Sequence, residues 1–373
     1  MKQKIIFGDD KIDKLRKVIE SISPKKILLL TGKNSYESSG SKNLIDPVIK
    51  KYDVFRFYKF SINPKYNDVL KGVKLIHQIK PDLIIAIGGG SVIDIAKQIN
   101  ILSKNNFNKD TIINKKLLKK SDVPLIAIPT TSGTGSESTS FSVIYIDGIK
   151  FSIENKYMLP NYAFIFPHLG INMKKMLRAS CAFDGFSQAI ESYWSINATK
   201  SSKNISSKSI RIFKLNLEKA INGNEKSRIE LFRAANLSGQ AINITKTTAP
   251  HALSYVLSSI YGLQHGHAVA ITLGKFFKYN MPDSNKSING KKDIKYVKRT
   301  MKNLYNLMGY NNSEKCEKYW YKTMQKGGLK FKHLGITKKS NIDNLVKGVD
   351  ANRLKNNPIK LDPADLRMIL NNL

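Results

Sequence analysis

The feature that most constrains this fold is the order of apolar runs in the first half of the chain. Residues 26–31 (Lys-Ile-Leu-Leu-Leu-Thr), 82–87 (Asp-Leu-Ile-Ile-Ala-Ile) and 123–128 (Val-Pro-Leu-Ile-Ala-Ile) are short and nearly continuous in apolar side chains. That is the pattern of strands covered on both faces. Residues 54–60 form a weaker strand candidate, residues 66–80 carry helical spacing through Val69, Val73, Leu75 and Ile76, and residues 91–102 form a second helix candidate. Strand and helix alternating over short connections predict an α/β domain with a doubly wound parallel sheet. Asp147-Gly148, between two runs of strand-forming residues, predicts a hairpin. Near residue 171 the pattern changes to helices at 180–195, 208–220, 227–244, 250–259 and 268–279. Pro250 opens one of them, with Thr247 and Thr248 as candidate caps. The expected organisation is a parallel-sheet domain over residues 1–170 and an all-helical domain over 171–373.

Composition narrows the class. With 41% hydrophobic and 9% aromatic residues over 373 positions, the chain has ample material for large cores. The opening ten residues hold no apolar signal core, and no run reaches the roughly 18 residues of a membrane span, so the expectation is a cytoplasmic protein without a membrane partner. Two cysteines, Cys181 and Cys316, are too few for a disulfide framework. A net charge of +34 would favour polyanions, yet the lysines are scattered and accompany an excess of Asn and Ile, all residues of A/T-rich codons. Base composition accounts for that bias, and no specific nucleic-acid partner is expected. The Lys/Asn-rich stretch at 283–300 reads as a solvated loop or helix end.

Two loops and a scatter of donor side chains carry the chemistry. Gly88, Gly89, Gly90 and Ser91 lie between a buried strand and a helix, where bare backbone N–H groups can approach a phosphate. A second loop, Pro129 to Glu137, follows the next strand and offers hydroxyls on Thr130, Thr131, Thr134 and Ser136. Adjacent loops of this kind suit a dinucleotide. In the second half, Asp184 and Gln188 share one helix face, and His251, His265 and His267 account for three of only six histidines. Oxygen and imidazole donors together suit a divalent metal. The competing structural reading pairs Asp184 with Lys174 or Lys175 and leaves His251 as a core histidine.

Ile-Gly-Gly-Gly-Ser-Val-Ile-Asp-Ile-Ala-Lys97, Ile-Pro-Thr-Thr-Ser-Gly-Thr-Gly-Ser-Glu137, Asp184…Ala-Ile-Glu-Ser, His251…His265-Gly and the closing Asn-Pro-Ile-Lys-Leu-Asp-Pro-Ala-Asp-Leu-Arg resemble the iron-containing (group III) alcohol dehydrogenases. The resemblance implies a Rossmann-like N-terminal domain, a helical metal-binding C-terminal domain of dehydroquinate synthase-like architecture, and an active site in the cleft between them. It implies NAD(P)H and a divalent ion, Fe²⁺ or Zn²⁺, as cofactors. Asp94 and Lys150 join the cofactor set, and Asp184, His251 and His265 match three metal ligands of the family. Gln188 stands where the family has a further His ligand, and Tyr255 where it has a His beside the reacting carbonyl. Proton relay falls to Tyr255 or His267; of the two, an imidazole titrates nearer neutral pH, which favours His267.

The segments around Asp184, His251 and His265 are similar to the phosphonoacetaldehyde reductase branch, which implies a small anionic aldehyde as substrate and 2-hydroxyethylphosphonate as product. Lys150, Lys156 and Arg178 are then candidate partners of the phosphonate. Where the family often has an acidic residue after its first strand, this chain has Gly32 followed by Lys33, which favours NADP(H) over NAD(H). The family also implies a homodimer or larger assembly. The alternatives are a reductase of another small aldehyde, a lyase resembling 3-dehydroquinate synthase, and a decayed member or basic nucleic-acid-binding protein.

Overall fold

Each buried run becomes a strand in the computed structural model, which describes residues 3–105, 108–113, 119–283, 286–330 and 339–373. The chain divides into two units, Met1–Met173 and Lys174–Leu373. In the first, the order is β1 (Lys4–Phe7), α1 (Ile12–Ile22), β2 (Lys26–Thr31), α2 (Ser35–Ser38), α3 (Ser41–Ile49), β3 (Asp53–Phe57), α4 (Tyr66–Ile79), β4 (Leu83–Gly88), α5 (Gly90–Leu102), α6 (Lys109–Ile113), β5 (Leu125–Pro129), β6 (Phe141–Ile146), β7 (Ile149–Glu154) and β8 (Tyr162–Ile165). Six strands form one sheet in the order β1-β8-β5-β4-β2-β3, parallel throughout. β6 and β7 pair separately as an antiparallel hairpin. Its turn, Asp147-Gly148, has φ of 51° and 81°, the left-handed conformation that a tight hairpin requires of both residues.

Alternation along each strand divides the first unit's core into two layers. Leu28, Leu30, Ile84 and Ala86 face α4 and α5 through Val69, Val73, Ile95 and Ile99. Ile27, Leu29, Leu83 and Ile85 face the opposite layer with Leu15, Ile19, Ile45 and Val48. From β2 the chain moves outward to β3, then returns to continue through β4 and β5 on the other side. The switch point therefore lies between β2 and β4, where a parallel sheet opens a crevice at its carboxyl edge. The weak strand is shorter than the apolar pattern suggests. β3 stops at Phe57, and Phe60 packs on Phe57, with ring centroids 5.5 Å apart, instead of continuing the ladder.

The second unit is helical: α7 (Lys175–Trp194), α8 (Lys200–Ile221), α9 (Glu225–Thr245), α10 (Ala249–Tyr261), α11 (His265–Tyr279), α12 (Ile294–Leu307), α13 (Ser313–Lys326), α14 (Lys339–Lys347), α15 (Ala351–Leu354) and α16 (Pro363–Asn371). α7 is buried along almost its full length, so its polar residues must find partners inside the protein. The Lys/Asn-rich stretch is more ordered than its composition suggests. Ile288 bridges to Ile359, and α12 starts at Ile294 with Val297 and Thr300 buried; residues 284 and 285 lie outside the described residues. Among the described residues, no helix is long and apolar enough to cross a membrane.

Candidate metal centre and dinucleotide loops

Three donors predicted from residue type converge. One ligand atom from each of Asp184, His251 and His265 lies within 4.8 Å of the others. His251 Nε2 is 3.3 Å and His265 Nε2 3.8 Å from Asp184 Oδ1. The Asp184 carboxylate thus faces imidazoles, not the lysine partners of the competing reading. Asp184 and His251 are buried and His265 is part-exposed, so the cluster has one accessible side.

The local sequence explains how the cluster forms. Gly266 opens α11 between two histidines; a Cβ there would stand 1.9 Å from the Ser180 carbonyl oxygen and 2.8 Å from Asp184 Cβ. Only glycine lets the start of α11 approach α7 this closely, and that approach carries His265 to Asp184. Asp184, Gln188 and Glu191 follow at helical spacings of four and three, and therefore share one face of α7.

Glu191, a residue given no role in the sequence reading, organises the site. Fully buried, it contacts His251 Nδ1 through Oε2, while Oε1 accepts from the Thr248 amide at 2.9 Å and the Thr248 hydroxyl at 2.8 Å. A carboxylate on Nδ1 holds a proton there and turns Nε2 toward Asp184. Burial alone would depress His251, but Glu191 and then Asp184 push it up to about 9. Thr248 corrects an expectation: it sits at the N-cap of α10, yet its hydroxyl serves Glu191 and accepts from Trp194 Nε1 at 2.9 Å instead of capping the helix. A signal for Glu191 was present, since a buried acid seven residues after Asp184 must share its face.

Gln188 is buried one turn from Asp184, and its Oε1 accepts from Ser238 Oγ on α9 at 3.1 Å. The Tyr255 ring lies almost parallel to His265, at 9° with centroids 5.8 Å apart, and its hydroxyl accepts from Arg353 at 3.0 Å. Burial raises the Tyr255 phenol, with Arg353 pulling the other way. His267 is buried with its amide donating to Ser180 Oγ at 3.1 Å, and residues two apart on a helix do not share a face. His265 and His267 therefore leave α11 in different directions. Arg178 donates to the Ile221 carbonyl at 3.1 Å and is buried, which withdraws it from the candidate anion partners. Burial, with the Asp184 carboxylate adding to it, also pushes the Cys181 thiol up to about 12.

The first unit holds the two loops together. Gly89 precedes α5 without a side-chain cap, so the amides that open this helix are oriented outward along its axis. A Cβ on Gly90 would lie 2.8 Å from Thr134 and one on Gly88 2.5 Å from Val92, while one on Gly89 would touch Thr131 at 3.4 Å. Thr130 N donates to the Gly88 carbonyl at 3.0 Å, joining the loops. This bare backbone is what a pyrophosphate needs. Asp94 and Ser136 are engaged in an internal network: Ser136 Oγ donates to Asp94 at 2.5 Å and the Val143 amide donates to Asp94 at 2.9 Å. The buried Lys97 ammonium, lowered to about 8 by burial, donates to Ser136 and Thr139 at 2.9 Å each. Ser91 is half-buried at the start of α5, and Lys150 lies on β7 with its charge felt by Asp94. Arg56 was missed by sequence reading. From β3 it donates to Thr31 Oγ1 at 2.8 Å and to the Gly32 carbonyl at 3.3 Å, between the rings of Tyr36 and Tyr58.

A switch-point parallel sheet and a helical unit with an oxygen–nitrogen donor cluster are the parts of an enzyme that uses NAD(P) and a divalent metal. Family models agree: "Iron-containing alcohol dehydrogenase" matches residues 2–167, and "Fe-containing alcohol dehydrogenase family, C-terminal" matches residues 178–373. The chain belongs to the iron-containing alcohol dehydrogenase family. It is 28% identical to long-chain-alcohol dehydrogenase 1 of Geobacillus thermodenitrificans, over 81% of this chain and 75% of that protein. It is 31% identical to the phosphonoacetaldehyde reductase of Streptomyces viridochromogenes, over 55% of each chain. The structure of sulfoacetaldehyde reductase from Bifidobacterium kashiwanohense, in complex with NAD+, matches with a TM-score of 0.88 at 25% identity, over 100% of this chain and 96% of that one. The reaction class is accordingly the interconversion of an aldehyde and an alcohol.

Proposed function

We propose that this enzyme reduces a small anionic aldehyde, phosphonoacetaldehyde foremost, with NADPH, at a divalent ion held by Asp184, His251 and His265. The observation that carries the metal assignment is the convergence of these three donors under orientation by Glu191. One carboxylate and two imidazoles suit Fe²⁺ or Zn²⁺. Bound there, the ion would supply Lewis acidity to a carbonyl oxygen, while the reduced nicotinamide supplies hydride. Glu191 keeps the Nδ1 proton on His251 and fixes the ring. The alkoxide's proton comes from the Tyr255 hydroxyl: its ring lies against His265, whereas His267 leaves α11 in another direction. The backbone of Gly89 to Ser91, with the hydroxyls of Thr130, Thr131 and Thr134, forms the phosphate cradle. The similarity to reductases of phosphonoacetaldehyde and sulfoacetaldehyde supports an acidic headgroup.

The direct test is metal analysis of the purified protein alongside NADPH oxidation with phosphonoacetaldehyde, acetaldehyde, lactaldehyde and succinic semialdehyde, before and after chelation. Highest kcat/KM on phosphonoacetaldehyde, abolished by chelation and restored by Fe²⁺ or Zn²⁺, is the expected result. A best substrate without charge sinks the substrate assignment.

Support for NADPH comes from the end of β2. Gly32 offers no carboxylate to a ribose 2′-hydroxyl, and Arg56 adds a cation beside Lys33. The NADPH:NADH ratio of kcat/KM should exceed unity and fall about tenfold or more in Arg56→Ala, the size of a lost charge-assisted hydrogen bond. An unchanged ratio would remove Arg56 from cofactor choice.

Gln188 offers an amide where the family has imidazole. Gln188→His should tighten metal binding by about tenfold or more, since imidazole is the stronger donor for these ions. Competition with a chromogenic chelator measures it; weaker binding would show that the face of α7 cannot present a fourth donor.

A further inference from the structure

The proposed substrate requires a cation near the metal centre, and one side chain of the helical unit meets that requirement. We infer that Arg353 recognises the acidic headgroup of the substrate and sets the preference for aldehydes bearing a phosphonate or sulfonate next to the carbonyl-bearing carbon. The inference rests on the reading of the site as an aldehyde reductase and adds the residue that selects among aldehydes.

Arg353 belongs to α15, a single turn capped by Asp350, whose carboxylate accepts from the Asn352 amide at 2.9 Å. Its guanidinium carbon lies 4.5 Å from the centre of the Tyr255 ring, and one nitrogen donates to the Tyr255 hydroxyl at 3.0 Å. Tyr255 in turn stacks on His265. A single aromatic ring thus separates the arginine from a metal ligand. A two-carbon aldehyde with a tetrahedral headgroup spans about 5 Å from carbonyl oxygen to headgroup oxygens by ordinary bond lengths. A metal–oxygen contact of about 2 Å at one end and a hydrogen bond of about 3 Å at the other give a reach of about 10 Å, comparable with the two spacings of this stack, 4.5 and 5.8 Å. With its carbonyl at the metal centre, such an aldehyde would bring its anion to the guanidinium.

The guanidinium retains capacity for an anion. Arg353 is 26% exposed, and its Nε stands 3.6 Å from Asp350, itself 54% exposed. Such a surface pair is weak and easily exchanged for a phosphonate dianion. Arginine presents five donors in a planar fork, and the bond to Tyr255 uses one of them, so a bidentate grip remains geometrically available. Stacking on Tyr255 fixes the plane in advance and reduces the entropy lost on binding. The remaining explanation for Arg353 is that it merely orients Tyr255. That role would slow all aldehydes alike, whereas headgroup recognition would act on anions selectively through KM.

The experiment compares metal-loaded wild type, Arg353→Ala and Arg353→Lys with phosphonoacetaldehyde, sulfoacetaldehyde and propanal. Separately, 2-hydroxyethylphosphonate and 2-hydroxyethylsulfonate are titrated by NMR, which needs no turnover. Arg353→Ala should lower the phosphonoacetaldehyde:propanal ratio of kcat/KM about 30-fold or more, mostly through KM, with Arg353→Lys recovering part. Phosphonate affinity should fall by a similar factor. A matching loss for the sulfonate alone would assign the site to sulfonates. Equal losses on charged and neutral aldehydes, or unchanged affinity for both anions, would overturn the inference. A wild type that reduces propanal as well as phosphonoacetaldehyde counts against the proposed substrate, and the titration then decides Arg353 independently.

Discussion

Asp184→Asn should lower kcat/KM for aldehyde reduction by about a thousandfold, roughly 4 kcal/mol of barrier, and leave the purified protein depleted of metal. The substitution keeps the side chain's size and removes only its charge. Asp184 is the sole carboxylate among the three converging donors, so without it a dication would have only imidazoles as direct ligands in this cluster. Its neighbours are also built around it, with both His251 Nε2 and His265 Nε2 within 4 Å. Elemental analysis and single-turnover NADPH oxidation provide the measurement. A variant that retains full metal and rate would refute the assignment of this centre.

The second large effect falls on a residue that need not touch metal or substrate. Glu191→Ala removes the acceptor for the Thr248 amide, the Thr248 hydroxyl and His251 Nδ1, all buried. Leaving such donors unpartnered should cost about 3–5 kcal/mol of unfolding free energy and weaken metal binding roughly 10- to 100-fold. Glu191→Gln separates the two effects. Its carbonyl oxygen can still accept from Thr248, but its NH₂ group would face Nδ1 and favour the tautomer protonated on Nε2. Most of the stability should remain while metal affinity still falls. Urea denaturation and chelator competition on both variants test this, and equal metal affinity in Glu191→Gln and wild type would rule out tautomer control.

The parts of this molecule legible in its sequence are those determined by local pattern. Residues 26–31 read as a buried strand and form one with the same limits, because an unbroken apolar run leaves no other way to satisfy both faces. Asp184, His251 and His265 stand out because donor side chains are conspicuous in apolar helices. Tertiary contacts hid the rest. Arg56 reaches the end of β2 only because β3 pairs there in a particular register, with Leu29 opposite Arg56. Arg353 meets Tyr255 across 98 residues of chain, from a one-turn helix with no periodicity to announce it. Thr248 looked like a cap because threonine before a helix normally is one. A buried glutamate on another helix claimed the hydroxyl first.

Gly266 gives the centre its mechanical character. With backbone pressed on backbone where α11 meets α7, the spacing between His265 and Asp184 is set by main-chain contact, not by adjustable side chains. Those two ligands must travel together whenever the helices shift. A donor such as the one at position 188 can therefore change chemical type without the remaining pair losing alignment.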